Sequence, residues 1–431
     1  MRVRAPREAL VLRPRPTDRA ADRREGDVRL LLISHYYAPE IGAAQTRLRE
    51  TVAGLVRRGF DVTVIAPVPS YPLGIVPAGY HAWLPKREVI DGVSVARLPT
   101  VALAGASLSR RLVGQAAFAT ASLASHAIAD RFDVALIESP PLPLAMTARS
   151  LALHGLPYVF HVADPWPDFP IAMGYLRSPL EQRLAFWLED LAYRGAAAVT
   201  TVSPGLVALL EAKPSAAGKV ELIPNGVDVG RFTLGMTPAT ARGRLGWDER
   251  FTVVYAGTVG LAQGVGTLLD AARMLDDTVA IRIVGEGLER PELERRARAM
   301  GLRHVVFQPA VQRTDVPVVL AAAEAGLVIL RRGPLYEDSL PTKLLETMAA
   351  GRPVVVSADG LAARIVREAG AGYIAEAGDP QALARAIDAC RQDAERAARG
   401  EAARAHVLAR YERESVLDRL ADVLRRSART R

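Results

Sequence analysis

Short apolar runs of strand length alternate with helical stretches twice along this chain. That alternation restricts the fold to parallel sheets covered by helices. The first series opens with VRLLLIS (Val28 to Ser34), a loop holding Pro39 and Gly42, and a helical stretch from about Ala43 to Arg58. Gly59 ends that helix and DVTVIAP follows as a second strand, so the unit reads β-loop-α-β. SVARLP, DVALIES, YVFHVAD, AAVTTVS and KVELIPN continue the series. The second series starts at FTVVYAG near Phe251, followed by a Gly-rich loop and a helix around Thr267 to Met274, then AIRIVGEG, HVVFQPA, AGLVIL, PVVVSA and GYIAE. The chain therefore carries two consecutive α/β sheets with a junction near Asn225 to Phe232, and ends in a helical segment at about Arg396 to Arg426. Ligands of such sheets sit at the carboxyl ends of the strands.

At 431 residues the chain exceeds one compact core, and two domains are expected. Half its residues are hydrophobic and 24% are charged, the balance of a soluble globular enzyme. The one cysteine, Cys390, can form no intrachain disulfide, and no cysteine cluster offers a zinc site. A reducing cytoplasm suits that composition. Eight arginines fall within residues 1–27, among prolines and acids. This segment reads as a disordered basic tail, with an upstream start assignment as the open alternative. The net charge of +8 suits anionic ligands or an anionic membrane surface. No nucleic-acid motif accompanies it. Leu112 to Ala129 holds no Asp, Glu, Lys or Arg, but it is rich in Ala and Ser and contains Gln115 and His126. It reads as a helix packed on a sheet, with lipid contact along one face as the alternative; Arg110 and Arg111 flank it.

The most chemically loaded stretch is DSLPTKLLETMAAGRP, Asp338 to Pro353: a turn, a short helix and the entry to the strand VVVSA. Ser339, Pro341 and Thr342 precede Lys343, and Glu346 lies one turn further on. Free backbone N–H groups, a cation and an acid thus share one helix start, which favours an anionic ligand. The lysine can meet a phosphate and the carboxylate a ribose diol. Helix capping alone is the competing reading.

SHYYAPEIGAAQTR, IESPPLPLA, HVADPWPD, TVSPGL, IPNGVD, YAGTVGLAQGVGTLLDAA, IRIVGEGLER and SLPTKLLETMAAGRPVV occur in this order. Together they resemble glycosyltransferase family 4, the retaining transferases of GT-B fold, and within it the bacterial enzymes that build surface polysaccharides and related glycoconjugates. The resemblance runs from Val28 to the C-terminal helix. It implies two Rossmann-like doubly wound domains facing across a cleft: an acceptor domain over 28–229 and a nucleotide-sugar donor domain over 230–405. Residues 406–431 would form a C-terminal helix, which crosses back to the first domain in this fold.

The resemblance also implies roles. The loop around Gly42 borders the donor diphosphate and the acceptor. His161 ends the strand YVFHV close to the reacting carbon. Related members carry Asp-Leu-Trp-Pro-Glu after this histidine, whereas here Asp164-Pro165-Trp166-Pro167-Asp168 follows, with Pro165 altering the backbone. Gly257 and Gly260 admit a phosphate, but Gln263 stands where a lysine is common. The cationic role then falls on Lys343, with Arg290 beyond the Gly285-Glu286-Gly287 turn as a second contributor. That turn lacks the glycine spacing of a dinucleotide fingerprint. The family's paired acids fall on Asp338, with Glu337 adjacent, and on Glu346; either Glu337 or Asp338 can face the sugar. Leu340, Pro341 and Thr342 line the backbone path beside the diphosphate. His161, Lys343 and Asp338 are the catalytic candidates. Gly42, Gly257, Gln263, Arg290, Leu340, Pro341, Thr342 and Glu346 are the donor-binding ones.

The implied reaction is transfer of a hexosyl or N-acetylhexosaminyl group from a nucleotide-diphosphate sugar to a glycan or lipid-linked acceptor. It is expected without metal or cofactor, in the cytoplasm or on the inner face of the membrane. A nucleotide-sugar epimerase of the same fold and a non-catalytic, membrane-associated subunit are the alternatives.

Overall fold

The computed structural model describes residues 27–429, apart from 41, 72–73, 104–107, 173 and 234. The tail expected over 1–27 lies outside the described residues except for Asp27. Two compact units make up the chain. The first extends to Pro224 and takes in the stretch from Leu417 onward, and the second is Asn225–Val416.

The first unit is built on eight strands: β1 (Val28–Ile33), β2 (Phe60–Pro67), β3 (Lys86–Ile90), β4 (Val93–Leu98), β5 (Val134–Ser139), β6 (Tyr158–Val162), β7 (Ala198–Thr201) and β8 (Val220–Leu222). Their order is β3-β4-β2-β1-β5-β6-β7-β8. Every pairing is parallel except β3 with β4. Helices cover both faces, which is why the central runs are apolar throughout; Leu30 to Ile33 are at most 1% exposed. Growth of the sheet reverses between β1 and β5, and that switch point places the loops after β1, β2, β4 and β5 around one end of the unit.

Strand β3 was not among the expected runs. Ile90 pairs with Val93, leaving Asp91 and Gly92 as a two-residue hairpin turn, with φ of 52° and 78°. An Asp-Gly pair with positive φ at both residues is the type I′ turn that suits the right-handed twist of paired strands. Arg97, 1% exposed, donates to Glu88 across this hairpin at 2.7 Å.

The Leu112 to Ala129 stretch forms the helix Leu108–Ser122 and the tighter turn Leu123–Arg131. By length and composition alone Leu112–Arg131 could cross a membrane. Its inner side nevertheless packs in the first unit: Phe118, Ala119, Ile128 and Ala129 belong to the core, and the buried Ser122 hydroxyl bonds Thr147 at 2.7 Å.

The second unit holds β9 (Phe251–Ala256), β10 (Val279–Val284), β11 (Val305–Gln308), β12 (Ala325–Ile329), β13 (Val354–Ser357) and β14 (Gly372–Ala375). The order β11-β10-β9-β12-β13-β14 is the doubly wound 3-2-1-4-5-6 arrangement, with its switch between β9 and β12.

The expected divisions at 229/230 and 405/406 differ from those observed at 224/225 and 416/417. Val227 explains the difference. Its N–H donates to the Tyr411 carbonyl at 2.9 Å and its carbonyl accepts from Arg413 N–H at 3.0 Å, which ties residues 225–229 to the second unit. The same bonds split the final helical segment into Arg396–Arg410 and Arg413–Ser427. Beyond Leu417 the last helix packs in the first unit, where Leu417 lies against Gly54 and Asp418 meets Arg58 at 2.7 Å.

Glycine is required where the loops after β9 and β10 touch. A Cβ on Gly285 would lie 1.8 Å from the Gly257 carbonyl oxygen, which is backbone and cannot swing away. Gly285→Ala is therefore expected to destabilise the second unit by about 2 kcal/mol or more, measured by urea unfolding.

Candidate functional site

In the second unit the functional geometry gathers at the β9/β12 switch. Three loops meet there through main-chain bonds: Gly257 N–H to the Val284 carbonyl at 2.9 Å, Val259 N–H to Glu286 at 2.9 Å, and Arg331 N–H to Ala262 at 3.1 Å. Gly257 has φ of 143°, and a Cβ there would meet Cε and Nζ of Lys343 at 3.2 Å. The lysine therefore runs along bare backbone at the end of β9.

Lys343 is the second residue of the helix Thr342–Ala349. Pro341 precedes that helix with φ −65° and ψ 133°, and no side chain caps it. Its first-turn N–H groups thus reinforce the lysine as an anion-directed set. The Lys343 amine donates to the Tyr255 hydroxyl and sits 3.7 Å above the Tyr255 ring centre. The Tyr255 hydroxyl in turn donates to the Thr258 carbonyl at 2.5 Å. Burial pushes the Lys343 ammonium down to about 7, opposed by the Glu346 carboxylate one turn along.

The other expected donor residues are placed as follows. Glu346 is half-buried on the lysine's helix. Leu340 packs against the core of the unit, ahead of Pro341 and Thr342. Gln263 ends a short turn, and its side-chain oxygen lies over Gly260, 3.1 Å from where a Cβ would stand. Asp338 and Glu337 are both exposed, at the end of the short helix Pro334–Glu337. The Glu337 carbonyl presses on Gly360, where a Cβ would come within 2.1 Å, so this acidic turn is seated against the loop after β13. Arg290 is engaged within its own loop. It donates to the Gly285 carbonyl at 2.6 Å, the Gln308 carbonyl at 3.0 Å and Glu294 at 2.8 Å, and it pairs with Glu286. Two carboxylates offset its charge, leaving Lys343 as the cation aimed at the Gly257 loop.

In the first unit His161 is 4% exposed on β6, in register with Glu138 of β5 and Thr200 of β7. Its Nδ1 lies 2.9 Å from the Thr200 hydroxyl and its Nε2 lies 3.4 Å from Arg47. Arg47 also holds Glu138 at 2.8 Å. Burial drives the His161 pKa down to about 4. Burial pushes the Glu138 carboxyl up, but Arg47 outweighs it and keeps the group below its usual range. A guanidinium can only donate, so Nε2 accepts and Nδ1 carries the proton toward Thr200. His161 is thus a neutral ring with both nitrogens occupied, and reaching a sugar requires Arg47 to release Nε2. Gly42, in extended backbone, starts the helix Ala43–Arg57 that carries Arg47.

A pocket opens near the carboxyl ends of β1, β2 and β4, with His35, Tyr36, Tyr71, Thr100 and Gln115 among its lining. Tyr36 and Tyr71 meet edge to face at 5.6 Å, and Gln115 donates to the Tyr36 hydroxyl at 3.3 Å. The buried His35 Nδ1 has no partner, and burial holds the ring neutral, with its pKa near 4. The expectations did not include this pocket, nor Tyr255, Arg47 and Glu138.

Two family models match the chain: the glycosyl transferase 4-like domain over residues 42–226 and the glycosyl transferases group 1 over residues 239–406. The chain belongs to glycosyltransferase family 4. A putative colanic acid biosynthesis glycosyl transferase, WcaI of Escherichia coli, is 28% identical over 77% of this chain and 84% of its own length. A GDP-mannose-dependent α-(1-6)-phosphatidylinositol monomannoside mannosyltransferase of Mycobacterium tuberculosis is 29% identical over 92% of this chain and 98% of its own. The Anabaena HepE structure in complex with UDP superposes with a TM-score of 0.71 at 21% identity, over 93% of this chain and all of that one. The fold is GT-B.

For this glycosyltransferase the buried lysine sets a pH dependence of stability. Lysine ordinarily titrates near about 10.4, so between that value and about 7 the unfolded chain holds a proton that the folded chain lacks. Stability therefore rises with pH across that window. Urea unfolding of the wild type and Lys343→Met at about pH 6 and about pH 9 should show the rise in the wild type and a smaller one in the variant.

Proposed function

We propose that this glycosyltransferase is a retaining enzyme that moves a hexosyl or N-acetylhexosaminyl group from a nucleotide-diphosphate sugar to a glycan or lipid-linked acceptor. Its setting is bacterial polysaccharide or glycoconjugate biosynthesis, in the cytoplasm at an anionic membrane surface. The observation that carries the reading is Lys343: an amine held over Tyr255, against the bare backbone of Gly257, at an uncapped helix start. The names of the relatives support it, with colanic acid and phosphatidylinositol mannoside among their products or acceptors, GDP-mannose as one donor, and UDP bound in HepE.

In this reading the donor diphosphate meets Lys343 and the N–H groups at Thr342, beside Gly257, Gln263, Leu340 and Pro341. A dianion there raises the lysine's proton affinity, so binding near neutral pH takes up a proton. Glu346 accepts the ribose hydroxyls, and Asp338 or Glu337 faces the sugar. The bond from the anomeric carbon to the phosphate oxygen breaks, and its electron pair stays with the nucleoside diphosphate. The acceptor hydroxyl adds from the same face and its proton passes to a departing phosphate oxygen, so configuration is retained. Fixed positive charge stabilises the leaving group, with no metal in the step. In the first unit the Gly42 turn serves the diphosphate and the acceptor, and His161, a neutral ring, orients rather than attacks.

The purified chain should be screened against nucleotide-diphosphate sugars for nucleoside-diphosphate release. Lys343→Ala is expected to lower release by about 10²–10³-fold, the effect of removing one charge-stabilising donor, and Glu346→Ala to weaken donor binding. Full activity in both variants overturns this site, and an epimerised sugar nucleotide in place of nucleoside diphosphate overturns the reaction.

A further inference from the structure

Two exposed histidines of the first unit stand face to face. His126 lies in the tight turn Leu123–Arg131, and His154 follows the last residue of the helix Leu144–Leu153. Their rings stack with centres 4.6 Å apart and planes 24° from parallel. Each ring is anchored through the same atom. His126 Nδ1 lies 2.7 Å from the Leu123 carbonyl oxygen, and His154 Nδ1 lies 2.8 Å from that of Ser150. A carbonyl can only accept, so both Nδ1 atoms carry protons. In the neutral rings the lone pair left for a ligand is on Nε2, and neither Nε2 has a hydrogen-bond partner among the described residues.

The backbone beneath the pair is fixed. The buried Ser122 hydroxyl bonds Thr147 at 2.7 Å, about one helical turn before His126 and about two before His154. Arg429 donates to the Ala129 carbonyl at 3.1 Å and to the Gly155 carbonyl at 3.4 Å, which ties together the residues that follow each histidine. Ile128 and Ala129 on one element, and Ala148 and Leu151 on the other, belong to one core. Packing of the unit, rather than a ligand, therefore gathers the two rings.

We propose that His126 and His154 chelate a divalent transition-metal cation such as Zn²⁺ through their two Nε2 atoms. The donors set the class: imidazole suits Zn²⁺, Ni²⁺ and Cu²⁺, whereas Mg²⁺ and Ca²⁺ take oxygen ligands. Anchoring the far ring nitrogen on a backbone carbonyl is the support that metal-bound histidines use, because it fixes the tautomer and aims Nε2. Two tetrahedral Zn–N bonds of about 2.0–2.1 Å set the nitrogens about 3.4 Å apart. Both rings are at the surface and can tilt to that spacing on an unmoved backbone. Among the described residues no third histidine, cysteine or carboxylate joins them, so water completes the shell. The result is an exchangeable site that pins the turn Leu123–Arg131 to the end of the helix Leu144–Leu153. It uses no residue assigned to sugar transfer, and it stands or falls independently of the transferase reading.

The test is equilibrium dialysis of the full chain, without a polyhistidine tag, against Zn²⁺ and against Mg²⁺ at about pH 7.5, where free imidazole is mostly neutral. The wild type should bind Zn²⁺ and not Mg²⁺. In His126→Asn and His154→Asn the amide keeps a donor near the place of Nδ1 but has no counterpart of Nε2. Each should weaken Zn²⁺ binding by about tenfold or more. The double variant should bind little more weakly than either single one, because the first substitution already ends the chelation. A second measurement needs no variant: Zn²⁺ should shield His126 and His154 of the wild type from diethyl pyrocarbonate, read by peptide mass spectrometry, while the exposed His81 stays reactive. Near-UV circular dichroism checks that each variant is folded. Four outcomes overturn the proposal: no Zn²⁺ binding by the wild type, undiminished binding by either single variant, losses that simply add in the double variant, or no shielding of the pair.

Discussion

Close approach of two backbones at the end of β9 is the constraint on which the second unit's site depends. Gly285 can lie against the Gly257 carbonyl only because it carries no Cβ, and the contact brings the loops after β9 and β10 together. The Lys343 side chain occupies the remaining space against Gly257. Any larger residue at 257 would displace the amine, and any larger residue at 285 would part the loops. The glycines of the Gly285-Glu286-Gly287 turn are therefore explained by packing: a Cβ at Gly287 would also collide, 2.1 Å from the Val259 carbonyl. This is consistent with the turn lacking a dinucleotide fingerprint.

The two units treat buried charge in opposite ways. In the first, Arg47 and Glu138 lie together under His161, so the cost of burying each ion is offset by the other and by fixed hydrogen bonds. Such a network holds a ring in one tautomer and resists titration. In the second, Lys343 has a phenol and an aromatic face, with Glu346 acting from one turn away. These stabilise an ammonium only in part, and its pKa is left at about 7. In the proposed reading, an arriving phosphate supplies the charge that this site lacks. The contrast argues that the first network positions groups while the second awaits a ligand.

Much of this was legible in the sequence because it is local. Parallel strands buried on both faces leave continuous apolar runs, and all six strands of the second unit fall on such runs. Lys343 and Glu346 were legible because helical spacing puts them on one side of a marked helix start. What escaped was non-local or looked ordinary. Tyr255 reads as one more core residue of a strand, and only the fold shows Lys343 above it. Arg47 reads as the solvent face of a helix, although it reaches Glu138, 91 positions away. Arg290 reads as an available cation until its loop closes around it. The break at Tyr411 and Glu412 has neither glycine nor proline; Val227 imposes it from across the unit. The hairpin signal at Asp91 and Gly92 was present in the sequence, but the polar strand KREVI before it does not resemble a core run.

Apolar composition has two separate meanings in the first unit, and burial distinguishes them. Leu112 to Arg131 is apolar because it packs in the core: its Ala and Ser residues let it sit close to its neighbours, and its buried Ser122 hydroxyl bonds Thr147. A lipid-facing helix would instead turn its large side chains outward and keep its polar ones on the inside. Ile75, Trp83 and Leu84 are exposed without being helical at all. They are large, outward and set in loops, where nothing in the packing of the sheet requires them.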